Sequence, residues 1–157
     1  MKRKLLSVFC ATALMAGMLS IATVESRAAE QRMIDGSYLT HEDESVGYDT
    51  KLTRGEDLMT GYSKCARLGP GKAYAGGTTV AAHKVDEVGI FVIVERAKEE
   101  DSAWSYCDSW QRFLENTDRV GSNRTLLVEG GYYYRVRCTH SANSDVSSSF
   151  TNGVYIE

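Results

Sequence analysis

Tyr132 to His140 place the tightest limit on what this chain can become. Tyr132, Tyr134, Val136 and Cys138 alternate with Tyr133, Arg135, Arg137 and Thr139, and a period of two is that of a β-strand, whose successive side chains point to opposite faces. The first set calls for a core. The second mixes a ring, two guanidiniums and a hydroxyl, and arginine stems can lie over their neighbours while the charged heads stay in water. Such a strand must pair its backbone N–H and C=O groups with others, so the rest of the sequence has to supply them.

Short β-rich runs separated by turn residues fill the segment from Tyr62 onward. Ser63 to Arg67 ends at Leu68-Gly69-Pro70-Gly71, where proline fixes one φ and glycine permits a positive one. Lys72 to His83 follows, with a bulge or bend expected at Gly76-Gly77. Val88 to Arg96 is a continuous apolar run rich in β-branched residues, which predicts a strand buried on both faces. Ala103 to Leu114 fits either period, and its aromatic load favours a strand. Glu115 to Ser122 reads as a polar loop and Asn123 to Glu129 as a short strand. After the alternating run, Ser141 to Ser149 reads as a second polar loop, and Phe150 to Ile156 closes the chain with Phe150, Val154 and Ile156 inward. Seven runs over residues 62–157 predict an all-β fold, an antiparallel β-sandwich.

The N-terminal part is of another kind. Met1-Lys2-Arg3-Lys4, the apolar stretch Leu5 to Val24 and the small residues around Ala28-Ala29 predict a cleaved signal peptide over residues 1–29. Residues 30–61 are polar and broken, with the acidic run His41-Glu42-Asp43-Glu44, and predict an extended arm that partly pairs with the domain. The 157 residues leave room for one core. Loss of residues 1–29 would move the formal charge from -3 to -6. An acidic exported domain has no footprint for nucleic acid and is repelled by anionic lipid heads, so neither nucleic acid nor stable membrane insertion after cleavage is expected.

Cys65, Cys107 and Cys138 would remain, an odd number with no C-x2-C spacing for zinc. They are expected as small core residues, a single bridge being the alternative. His41-Glu42-Asp43-Glu44 lacks the second histidine of a zinc helix and the spacing of a calcium loop. Gly69-Pro70-Gly71-Lys72 lacks the phosphate-cradle spacing. No metal or cofactor is expected. His140, Ser141 and Asp145 supply the residue types of a hydrolase, without a Gly-x-Ser-x-Gly elbow to hold a nucleophile.

Val128-Glu129-Gly130-Gly131-Tyr132-Tyr133-Tyr134-Arg135-Val136 resembles the corner between two strands of immunoglobulin-like and fibronectin type III sandwiches, where a glycine turn and a tyrosine precede an alternating strand. A longer resemblance runs through Ile34-Asp35-Gly36-Ser37-Tyr38-Leu39-Thr40, Arg54-Gly55, Glu95-Arg96, Trp104, Trp110, Gly130 to Val136 and His140-Ser141-Ala142. It is to a family of small proteins secreted by Gram-positive bacteria that carries no assigned activity. That resemblance implies export and a compact β domain.

Aromatics on a rigid sheet bring large area at low entropy cost, for stacking on sugars or anchoring proteins. The leading expectation is therefore a non-enzymatic exported module that binds a cell-surface glycan or protein through Tyr133, Trp104, Tyr106, Arg135 and Arg137. A bacteriocin-like effector is the alternative, and a hydrolase using His140 and Asp145 the last.

Overall fold

The computed structural model describes residues 32–49 and 55–157; the signal peptide expected over residues 1–29 lies outside the described residues. The chain is all-β. Among the described residues nine strands follow one another as β1 (Met33–Ile34), β2 (Ser37–Thr40), β3 (Glu44–Tyr48), β4 (Leu58–Gly69), β5 (Lys72–Ala97), β6 (Ser105–Leu127), β7 (Tyr132–Ala142), β8 (Asp145–Phe150) and β9 (Gly153–Ile156). They form one mixed sheet in the order β1-β2-β9-β7-β5-β4-β3, with β6 along β5 and β8 along β7. Every pairing is antiparallel except that of β2 with β9.

The organising element is β5, which merges two of the expected strands. Its first half pairs with β4 and its second half with β7, while β6 follows it along both halves. Between Val80 and Val85 four residues of β5 stand against Asp118 alone on β6, and unequal counts of this kind bend a strand sharply. The bend brings Thr79 back onto the second half, where its hydroxyl donates to the Gly89 carbonyl at 2.9 Å. One layer of the curled sheet is thus β3, β4 and the first half of β5; the other is the second half of β5 with β7, β8, β9, β2 and β1.

The core lies between the layers. Val88, Ile90, Val92 and Val94 from β5 meet Tyr134, Val136 and Cys138 from β7, Cys65 and Ala75 from the opposite layer, and Val154 and Ile156 from β9. Each large aliphatic side chain buried in this way contributes about 1.5–3 kcal/mol. Trp110 closes the open side, its indole N–H donating to Ser122 and its ring covered by the Arg124 guanidinium. The glycine corner before β7 behaves as its sequence suggests: the Tyr134 hydroxyl donates to the Glu129 carbonyl at 2.7 Å, and Gly131 turns at a φ of 84°.

Several expectations need correction. The polar segment Glu115 to Ser122 is strand, because β5 supplies its hydrogen-bond partners and solvent takes its side chains. Ser141 to Ser149 is mostly strand too, since β8 folds back on β7 through Asn143, at a φ of 50°. Phe150 points outward rather than into the core, being opposite Arg137. The boundary expected at residue 61 falls inside β4, and the arm supplies three strands. Asp35-Gly36 makes a tight hairpin between β1 and β2 at φ values of 49° and 79°, the left-handed pair that asparagine or aspartate followed by glycine adopts most readily.

Candidate functional site

The outer face of the second layer carries all five residues expected to bind, and the arm divides them. The β1–β2 hairpin lies over one half of this face, where Ile34 and Leu39 pack on Ala97 and Tyr133, with Trp104 and Tyr155 at the margin. Tyr133 is 6% exposed, so the exposed ring expected there is buried. Its hydroxyl reaches the edge of the arm at 3.0 Å from His41 Nε2, and burial, ahead of Glu99 and Tyr155, pushes its pKa up.

Arg135 is buried as well, and its partners explain why it tolerates that. Its Nε donates to Glu95 at 2.8 Å, one terminal nitrogen donates to the Ser37 hydroxyl at 2.7 Å, and the other lies 3.4 Å from Asp35. The plane of the guanidinium stacks on Trp104, 4.5 Å from the ring centre. Trp104 in turn donates its indole N–H to the Ile34 carbonyl. Three of the five expected residues therefore fasten the arm to the sheet; the exposure expected of Tyr133 and Arg135 is corrected to burial, and Trp104 is half-buried. The sequence placed Tyr133, Arg135 and Arg137 on one face, but the arm, though expected to pair in part with the domain, was not expected to cover them.

Beyond the hairpin the same face is open. Cross-strand pairs share a face, and the register sets Phe113, Gly89, Ser141 and Val146 in one row, Gln111, Phe91, Thr139 and Ser148 in the next, and Ser109, Ile93, Arg137 and Phe150 in a third. Tyr106 and Glu95 border the arm. Phe113, Val146 and Phe150 are 46%, 52% and 39% exposed, and Tyr106 is 66% exposed. Phe91 and Ile93 are half-buried between them, so the run Val88 to Arg96 is sealed on one face only. A Cβ at Gly89 would stand 2.4 Å from the Phe113 ring, so glycine is what lets that ring lie down on the sheet. Arg137 is held at one side by Glu95, at 3.1 Å.

Of the residues that form this surface, Tyr106 and Arg137 were expected from sequence; Phe91, Phe113, Val146 and Phe150 were not. The signal was the same alternation, but it is recognisable only once the partner strands are known. Val146 stands in a segment that reads as a polar loop, and Phe150 had been given to the core.

The proposed hydrolase pair does not converge. Thr79 gives its single proton to Gly89, so it must accept from His140 Nδ1–H at 2.9 Å. The Nε2 lone pair then accepts from the Ser149 hydroxyl at 2.8 Å. Both nitrogens of this buried ring are engaged, and burial holds its pKa down at about 4, against the small opposing pull of Asp49. Asp145 faces the other way, accepting from the Asp57 and Leu58 backbone amides. Cys65 and Cys138 are core thiols pushed up to about 12 by burial, and Cys107 is half-buried; all three are free.

No protein-family model matches the sequence, and no curated protein does. Among solved structures, the solution structure of R. palustris CsgH is similar at a TM-score of 0.38 and 14% identity, covering 68% of this chain and 91% of that one.

Proposed function

We propose that the protein is an exported, non-enzymatic module that docks a protein at a cell surface through the open half of the second layer's outer face. The observation that carries this is the cluster of exposed Phe113, Val146, Phe150 and Tyr106 around half-buried Phe91 and Ile93 on one face. Exposed apolar surface of this kind is retained where a partner covers it. Aromatic side chains at the centre with an arginine beside them are what strong protein contacts use. The basic and apolar N-terminal pattern supports export, and the resemblance to secreted Gram-positive proteins suggests which cells to use.

The experiment is co-sedimentation of the purified protein with whole cells of the producer and of unrelated Gram-positive species, across salt concentrations. Binding should saturate, survive salt, and disappear in the double variant Phe113→Asp, Val146→Asp, whose side chains lie on the outer face outside the core and whose amide spectrum should otherwise match that of the parent. Equal binding by that variant would remove this face as the docking site. Preference for foreign cells would favour the effector reading over a resident one.

A further inference from the structure

The outer face of the opposite layer is built differently. Register places Glu44, Ala66, Tyr74 and Thr125 in one row, Val46, Lys64, Gly76 and Asn123 in the next, and Tyr48, Tyr62, Thr78 and Gly121 in a third. Ser63 and Cys65, of opposite parity on β4, point into the core. Tyr48 is 69% exposed and its ring centre lies 6.2 Å from that of Tyr62, whose hydroxyl accepts from Thr78 at 3.1 Å. Tyr74 forms one wall of a shallow pocket of about 400 Å³ with Glu44, Lys64, Ala66 and Arg67. With two residues per row and about 3.4 Å per residue, the tyrosines of the outer rows stand about 14 Å apart along the strands.

We infer that this face is a second site, independent of the docking surface, and that it takes an uncharged polysaccharide chain. Rings lie at both ends of the grid, and the row between them offers the Val46 side chain, the Lys64 ammonium, Gly76 and the Asn123 amide. Sugar rings present one apolar face and a rim of hydroxyls, so the phenols stack while Thr78, Asn123, Thr125 and Lys64 hydrogen-bond. A protein partner would bury those polar groups and leave them short of partners, at a cost. Gly76 keeps the middle row low between Lys64 and Asn123. The charges within the site are already balanced: Lys64 pairs with Glu44 at 2.6 Å and Arg67 pairs with Asp43. An anionic or cationic polymer would find no unpaired counter-charge in this pocket, whereas a neutral one needs none.

The test is titration of the purified protein with neutral hexasaccharides, namely cellohexaose, xylohexaose and chitohexaose, followed by calorimetry and by amide chemical shifts. At least one should bind at submillimolar to millimolar concentration, with shifts confined to β3, β4, the first half of β5 and the second half of β6. Tyr62→Ala and Tyr74→Ala should each weaken it about tenfold. Their amide spectra outside the site should stay those of the parent, so that a folding defect is not mistaken for loss of binding. Absence of binding by all three sugars at 10 mM (roughly the ceiling for a weak site), shifts on the other layer, or unchanged affinity in both variants would overturn the inference. Shifts on the other layer would also assign a saccharide to the face proposed to dock a protein; the other outcomes leave that face untouched.

Discussion

Acid should weaken this protein through His140, and the structure gives both the sign and the size. The ring is fully buried and neutral, a donor to Thr79 and an acceptor from Ser149. A second proton on it would face the Ser149 hydroxyl hydrogen, which must turn away, and would place a charge in the core. Its folded pKa of about 4 lies below the unfolded value of 6.5, so the unfolded chain takes up the proton first. Stability from this residue is therefore complete above pH 6.5 and is lost as pH falls towards 4. At about 1.4 kcal/mol per pKa unit, the whole loss is about 3 kcal/mol, of which about 2 kcal/mol has gone by pH 5. Urea unfolding at pH 7 and pH 5 reads it directly. With a slope of about 1–2 kcal/mol per molar urea, the midpoint should fall by about 1–2 M. His140→Gln keeps a donor and an acceptor without a titrating ring, and subtracting its pH dependence removes the contribution of the carboxylates. If the variant and the parent lost stability in parallel between pH 7 and pH 5, the argument from the buried neutral ring would be wrong.

Arg135→Ala should cost about 3–5 kcal/mol, because it leaves Glu95 short of a buried partner; it should also release the β1–β2 hairpin, seen as faster amide exchange at Ile34 to Leu39 with β7 still protected. Retained protection there would show that the apolar contacts of Ile34 and Leu39 suffice to hold the arm. Tyr134→Phe removes the hydroxyl that caps Glu129 and should cost about 1 kcal/mol in thermal or urea unfolding. A neutral result would mean that water replaces that bond at the corner.

The parts of the fold that depend on local chemistry were legible in the sequence. The alternation of β7 placed Tyr134, Val136 and Cys138 in the core, and Gly69-Pro70-Gly71 turned the chain between β4 and β5 with φ values of 137° and 61° at its glycines. Asp35-Gly36 was equally legible and was passed over, because the two-residue strand before it is too short to show a period. What sequence could not show was continuity and coverage. Polar stretches such as Glu115 to Ser122 become strand only because β5 runs beside them. Tyr133 and Arg135 share a face with Arg137, and only the path of a segment about a hundred residues earlier decides which of them meets water. Tyr48, Tyr62 and Tyr74 are isolated in the sequence and come onto one face only through the register of three strands.

The parallel contact of β2 with β9 sets an order of events as the chain folds. It joins Leu39 to Gly153 and Thr40 to Val154, near the two ends of the described chain, whereas β5 and β6 meet through a hairpin between neighbours. Closing a long loop before it is rewarded is slow, and local pairings lead. The β5–β6–β7 assembly therefore precedes the arm, and until the arm docks, the floor of Ala97, Tyr133 and Tyr155 faces solvent together with Phe91, Ile93 and Phe113. For that interval the newly made protein exposes more apolar surface than the finished one, so its yield on refolding should fall with protein concentration more steeply than its final stability would suggest.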